Sequence, residues 1–261
     1  MKLRILAIVL ALSFISQVSY GQLWKRYRYE AIIITGASWA LTDLGGANAI
    51  GTHYFKDLDI QTTRPIIGLG MRYKIVEKFA VKYRMAFTYL KMSDAYTQWD
   101  SRENRGVDVR TPLFETSIQG ELFLNKERMG RRYTLSHFRG GRNFSILYVN
   151  TYLFLGVGGF YFSPQVNTGG AWVPADASNF GRTSKKETYS SIQFVIPFGV
   201  GFKYAINRKW KLGLEFGNRK LFTDYLDHHS DVYSVADDSY FFFEINLIKK
   251  LRKTRHGLPK F

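Results

Sequence analysis

The sequence predicts an all-β fold, an antiparallel transmembrane β-barrel of about eight strands with a small charged lumen and long extracellular loops. Three observations predict it. Several segments alternate apolar residues with small or charged ones, the N-terminus has the form of a secretory signal, and no later apolar run approaches the roughly 20 residues a spanning helix needs. A composition with 16% aromatic residues, 23 glycines and only 6 prolines is rich in strand formers.

The alternation is plainest between Trp210 and Asp227. Trp210, Leu212, Leu214 and Phe216 form an apolar row, and Lys211, Gly213, Glu215, Gly217 and Arg219 a small or charged one. A soluble sandwich would bury the first row and wet the second, whereas a membrane barrel turns the first to lipid and the second to an enclosed lumen. Matching rows elsewhere, together with an export signal and no spanning helix, select the barrel.

Residues 1–21 are the signal peptide. Lys2 and Arg4 precede an apolar run from Ile5 to Ile15, and Ser19 and Gly21 stand at positions −3 and −1 of a cut before Gln22. Export of residues 22–261 as one domain follows, with the outer membrane of a Gram-negative cell as destination. The chain has no cysteine, which excludes disulfides and thiolate chemistry. Removing Lys2 and Arg4 lowers the formal charge of +16 to +14, a surplus that suits anionic lipid or an acidic protein. Secretion argues against nucleic acid.

The first strand is expected from about Arg28 to Leu41. Ala31, Ile33 and Thr35 oppose Ile32, Ile34 and Gly36, so neither face is marked. In the second, Ile67, Leu69, Met71, Tyr73 and Ile75 alternate with Gly68, Gly70, Arg72 and Lys74. A turn around Val76, Glu77 and Lys78 leads to the third, where Phe79, Val81, Tyr83, Met85, Phe87 and Tyr89 oppose Ala80, Lys82, Arg84, Ala86 and Thr88. The fourth sets Phe114, Thr116, Ile118, Gly120, Leu122 and Leu124 against Glu115, Ser117, Gln119 and Glu121. The fifth, roughly Leu147 to Phe162, sets Leu153, Leu155 and Val157 against Phe154, Gly156 and Gly158, glycines that permit bending or leave room for a bulky lumen neighbour. The sixth, about Thr188 to Tyr204, alternates Ile196, Phe198, Val200, Phe202 and Tyr204 with Pro197, Gly199, Gly201 and Lys203. After the turn AINRK comes the seventh, already described, and the eighth runs from Ser239 to about Ile248, with Phe241, Phe243, Ile245 and Leu247 opposite Tyr240, Phe242, Glu244 and Asn246.

The inward rows bring together Arg72, Lys74, Lys82, Arg84, Lys203, Lys211 and Arg219 with Glu115, Glu121, Glu215 and Glu244. In so narrow a barrel these charges must neutralise one another, because an isolated buried charge is costly. The expected lumen is a salt-bridged plug. The alternative is a conducting or catalytic channel.

Barrels of this kind keep short turns in the periplasm and long loops outside. The connections after strands two and six are short, and those after one, three, five and seven are long. Asn125 to Asn143 is the exception, a long connection on the periplasmic side. Cations gather on that side: Lys25, Arg26 and Arg28, then Lys126, Arg128, Arg131, Arg132, Arg139 and Arg142, and a basic tail from about 249 to 261 that includes Lys249, Lys250, Arg252, Lys253, Arg255 and Lys260. The outer loops instead carry many aspartates, among them Asp43, Asp94, Asp108 and Asp231. The basic face suits either anionic headgroups or a periplasmic protein docked on Arg128, Arg131, Arg132, Arg139, Arg142, Lys250 and Arg252.

Catalytic and metal sites are not expected. Asp227, His228, His229 and Asp231 cluster without a metal-ligand spacing. Ser230 beside His229 and Asp231 offers the residue types of a hydrolase, but consecutive side chains diverge. No cofactor is called for.

The segment GLEFGNRKLFTDYLDHHSDVY resembles the PorG family of outer-membrane barrels of the type IX secretion system of Bacteroidetes. Gly213, Glu215, Gly217, Arg219, Thr223, Asp224, Tyr225, Leu226, Asp227, Ser230 and Tyr233 match the family's strand and Thr-Asp-Tyr-Leu-Asp loop, while His228 and His229 replace its Asp-Val. Further likeness lies in Asp43-Leu44-Gly45-Gly46, Thr63-Arg64-Pro65, LFLGVGGFYFSP and IPFGVGFKY. The resemblance implies a non-enzymatic barrel, set in outer-membrane lipid, that tethers a periplasmic ring of PorK and PorN or GldK and GldN kind. Two other functions fit the residues, a lipid-modifying enzyme and a general structural barrel or adhesin.

Overall fold

The computed structural model describes Lys25 and residues 27–42, 60–93, 107–125, 149–168, 170–175, 190–207, 209–223, 225–226, 238–254 and 258–260. Their strands are β1 (Tyr29–Leu41), β2 (Arg64–Lys74), β3 (Phe79–Ser93), β4 (Asp108–Phe123), β5 (Val149–Phe162), β6 (Gln165–Thr168), β7 (Ala171–Pro174), β8 (Ile192–Ala205), β9 (Trp210–Leu221), β10 (Ser239–Lys253) and β11 (Pro259–Lys260). β1 to β5 and β8 to β10 pair antiparallel, each with the next of the eight. β1 then pairs with β10, from Tyr29 opposite Leu251 to Leu41 opposite Ser239, and the sheet closes. An eight-stranded antiparallel barrel results, as the alternating rows predict.

The outward rows are apolar and exposed. Leu69, Leu155, Val157 and Phe194 are each more than 60% accessible, and Ile33, Ile118, Phe202 and Leu247 lie in the same surface. A continuous apolar exterior of this extent is foreign to a soluble monomer and suits lipid. No helix among the described residues is long and apolar enough to cross a membrane, so any crossing is made by strands.

One end of the barrel, here the near end, holds the start of β1, the end of β10 and two tight turns. Ile75 and Val76 both donate to the Phe79 carbonyl, and Ile206 and Asn207 donate to that of Trp210. The Asn207 side chain further accepts from the Lys209 and Trp210 amides, an Asx-type closure. Tyr29 and Tyr73 pack at 4.9 Å beside this end, Arg28 donates to the Tyr73 hydroxyl, and Lys249 stands over Trp210. Aromatic rings there match the interfacial girdle of a membrane barrel.

Two features depart from the sequence expectation, and a third assigns a facing that the sequence leaves open. β10 runs on to Lys253 instead of ending near Ile248, and Arg252 and Lys253 pair with Lys260 and Pro259 of β11. Lys249 and Lys250 therefore belong to the ladder and not to a tail; the outward apolar row ends at Leu247, but backbone pairing to β1 does not need it. A second unforeseen element is the β6–β7 hairpin at the far end, where Val166 and Gln165 pair with Val109 and Arg110 of β4. The third is the facing of β1: Glu30, Ile32, Ile34 and Ser38 are buried inward, whereas Ile33 is exposed. Isoleucines on both rows hide this in the sequence.

Leu155 lies mid-strand in the lipid-facing row. Leu155→Arg should destabilise the barrel by about 2–4 kcal/mol, read from urea midpoints of residues 22–261 refolded in lipid vesicles. An unchanged midpoint would place this row outside the hydrocarbon.

Candidate functional site

The inward rows meet in the lumen, and every sequence-predicted lumen charge is buried there: Arg72, Lys74, Lys82, Arg84, Glu115, Glu121, Lys203, Lys211, Glu215, Arg219 and Glu244. They form two layers. The near layer centres on Arg72 of β2. Its guanidinium donates from Nη2 to Glu121 Oε1 of β4 at 2.8 Å, with Nε 2.6 Å from Oε2 of the same carboxylate, donates from Nη1 to Glu30 of β1 at 2.8 Å, and lies 3.5 Å from Glu215 of β9. One planar cation thus joins three strands besides its own. Charge-assisted hydrogen bonds of this kind are stronger than neutral ones.

Lysines complete that layer. Lys82 binds Glu215 at 2.5 Å, Lys211 binds Glu30 at 2.5 Å, Lys74 lies 3.4 Å from Glu30, and Lys203 lies 3.4 Å from Glu121. The Tyr152 hydroxyl donates to Glu215. Lys203 also sits 4.2 Å from the ring centroids of both Phe123 and Tyr152, a cation held on aromatic faces.

The far layer is smaller and balanced. Arg84 binds Glu115 at 2.6 Å and Glu244 at 2.7 Å; Arg219 binds Glu244 at 2.8 Å and lies 3.7 Å from Glu115. Tyr240 donates to Glu115 at 2.7 Å, and Arg219 lies 4.2 Å from the Phe242 centroid. Beyond this layer an apolar cluster that includes Leu90, Val109, Phe160, Phe162, Val195, Tyr240 and Phe242 fills the far end. The lumen is a packed interior.

Glycines make room for its rings. A Cβ on Gly201 would lie 2.6 Å from Tyr152 Cε2, and one on Gly217 would lie 2.6 Å from Phe154 Cζ. Neither contact is tolerable against a ring packed among charges. Gly217 of the Gly-x-Glu-x-Gly strand and Gly199 and Gly201 of IPFGVGFKY therefore make room for Tyr152 and Phe154 of β5.

The loop motif acquires a partial role. Among its described residues, Thr223 accepts from the Asp238 amide through its carbonyl and from the Tyr225 amide through Oγ1. Leu226 is fully buried in the far-end cluster; its amide donates to Asp238 Oδ2, and its carbonyl accepts from Thr111 Oγ1. Leu226 thus packs into the far end of the barrel beside Thr111 and Asp238. Asp224 and Asp227 lie outside the described residues, as do His228, His229, Ser230 and Asp231.

Sequence reasoning missed Glu30, Tyr152, Leu226 and Asp238. Tyr152 and Asp238 had a signal in retrospect, being polar groups in or beside inward rows. Of the residues expected to face a partner, Arg252 is exposed, but Lys250 is only 5% accessible and turns inward beside Lys211; parity on β10 puts it on the lumen row with Glu244 and Asn246. Arg128, Arg131, Arg132, Arg139 and Arg142 lie outside the described residues. No group of three or more metal-ligating side chains occurs among the described residues.

A closed eight-stranded ladder, an apolar exterior and a lumen sealed by its own charges define an outer-membrane β-barrel. Residues 29–246 match the family described as a domain of unknown function (DUF6089), and the chain belongs to that family. No curated protein matches the chain in sequence. Among solved structures, the chain is similar to Neisserial surface protein A, with 11% identity, 85% of this chain and 96% of that one covered, and a TM-score of 0.42. It is similar also to Ail, the attachment invasion locus protein of Yersinia pestis, at 12% identity, 85% and 98% coverage and a TM-score of 0.42. The outer membrane enzyme PagL matches at 11% identity, 84% and 97% coverage and a TM-score of 0.31.

Glu121 answers three cations at once. Glu121→Gln leaves Arg72, Lys82 and Lys203 short of counter-charge and should cost about 3–5 kcal/mol, seen as a lower midpoint for loss of the compact band on unboiled gels. A midpoint equal to wild type would mean that the near layer is solvated.

Proposed function

We propose that this barrel is a non-enzymatic accessory component of the type IX secretion system, and that its near end, set in the periplasm, docks the periplasmic ring of that system. The observation that carries the reading is the crowding of exposed cations at that end, where Lys25, Lys249, Arg252 and Lys253 accompany the turns. The general rule that short turns face the periplasm supports the orientation, and the sequence resemblance to the PorG family supplies the partner. A lumen closed by paired charges supports a tether over a channel. The enzyme reading rests on Ser230, His229 and Asp231, and nothing among the described residues favours it.

Deletion of the gene should abolish export of cargo bearing the system's C-terminal signal, assayed in culture supernatant; normal export would sink the assignment. Within an intact barrel, changing Arg128, Arg131 and Arg132 together to Glu should reduce ring proteins recovered with it from mild detergent by about tenfold or more, the loss of several charge contacts. Undiminished recovery would move the docking face elsewhere.

A further inference from the structure

On β3 and β4 the lipid-facing rows end in cations at the far end. From Leu122 to Pro112 the outward row of β4 rises about 25 Å, at ~3.3 Å per residue and a tilt of ~40°, which is the height of an apolar belt. The next outward residue is Arg110, and Lys91 of β3 stands directly opposite it. Both are half-buried. Like charges directly opposite on one face of a sheet destabilise the pair, and an anion between them reverses the sign. Just inside the belt, Phe87, Phe114 and Tyr161 are opposed in turn across β3, β4 and β5 and are all exposed.

Arg110 is held in place. Its Nε donates to Gln165 Oε1 at 2.8 Å, and its guanidinium lies 4.5 Å from the Trp172 centroid, so both strands of the β6–β7 hairpin fix it. It has no other hydrogen bond and no ion pair among the described residues, which leaves Nη1 and Nη2 to a ligand. A second arginine comes from the Thr63-Arg64-Pro65 segment. Ser38 donates to the Arg64 carbonyl at 3.0 Å and Thr88 to that of Pro65 at 2.9 Å, which anchors the segment. The Arg64 guanidinium donates to the Thr63 carbonyl and lies 6.0 Å from the ring of Tyr89, the outward residue before Lys91; it has no carboxylate partner among the described residues.

Oriented guanidinium donors beside an exposed aromatic row fit an amphiphile with a phosphate at its head. An acidic peptide would meet the arginines but gain nothing from rings that lie in lipid. We infer that this edge of the barrel binds a lipid of the surrounding leaflet by its phosphate, held on Arg110, Lys91 and Arg64, with the acyl chains laid along Phe87, Phe114 and Tyr161. With the near end in the periplasm, as proposed above, the leaflet here is the outer one and the lipid is a phosphorylated glycolipid, lipid A; that step rests on the proposed orientation and not on the secretion role.

The test uses residues 22–261 in detergent micelles with lipid A added, bound lipid being counted by native mass spectrometry. Lipid A should bind saturably, and lipid A stripped of its phosphates should bind about tenfold or more weakly, the loss of charge-assisted hydrogen bonds. Arg110→Gln and, independently, Arg64→Gln should weaken lipid A binding by a similar factor, while Lys253→Gln, at the exposed end of β10, should not; migration on unboiled gels reports that each variant is folded. Phosphatidylglycerol, whose two chains cover less of the aromatic row, should bind more weakly than lipid A, and inorganic phosphate should not displace it. Equal affinity for dephosphorylated lipid A or for phosphatidylglycerol, displacement by inorganic phosphate, or undiminished binding in both folded arginine variants would each overturn the inference. Micelles have no sides, so the result is independent of the export assay.

Discussion

Arg72 is the contact on which the rest of the barrel depends. It stands on β2 yet reaches carboxylates of β1, β4 and β9, so its contacts span the lumen as well as neighbouring strands. Its position is fixed by register: a slip of one residue would turn it to lipid and bring Met71 or Tyr73 inward. Charge burial and strand pairing thus specify each other. The backbone ladder alone tolerates other registers, but only this one sets Glu30 beside Arg72 across the β1–β2 pair and Glu121 within reach of its Nη2. The same logic holds in the far layer, where Arg219 and Glu244 come from the adjacent β9 and β10.

Volume is the second constraint, and the glycines answer it. Strands of a narrow barrel cannot all present large inward side chains, so bulky residues alternate with small ones around the circumference. Tyr152 and Phe154 of β5 lie over Gly201 and Gly199 of β8, and Phe154 reaches Gly217 of β9. Tyr152 then joins the charges through Glu215, which links the aromatic and ionic parts of the filling. Apolar side chains take over at the far end, where Leu226 enters from the loop.

The rows of β2, β3, β4, β8, β9 and β10 were legible in the sequence because each has one apolar face and one charged or small face. β1 was not, for its isoleucines occupy both faces and Glu30 is the only charged residue on its inward row. Lys250 was misread for the opposite reason: three cations among Lys249, Lys250 and Arg252 resemble a solvated tail, although alternate members of such a run face lumen and surface by parity. Leu226 could be recognised as part of a motif but not as a buried residue. Its burial depends on Thr111 and Asp238, residues 115 and 12 positions away, and no local pattern records such pairings.

With two layers of paired charges and an apolar cluster buried inside the barrel, the described surfaces open to interaction are the lipid belt and the two ends. Geometry separates the two uses of the basic near end. Lys249 marks the girdle, lying over Trp210, and β10 continues for four residues to Lys253. At ~3.3 Å per residue and a tilt of ~40°, Arg252 and Lys253 stand about 8–10 Å past the girdle. The headgroup layer is only about 5–7 Å deep. Lys249 is therefore placed to meet lipid phosphate, whereas Arg252 and Lys253 stand at or beyond the lipid boundary, held in pairing with β11. Cations serving only to anchor the barrel in lipid gain nothing from that extension. Under the proposed docking, cations reaching an acidic protein surface would.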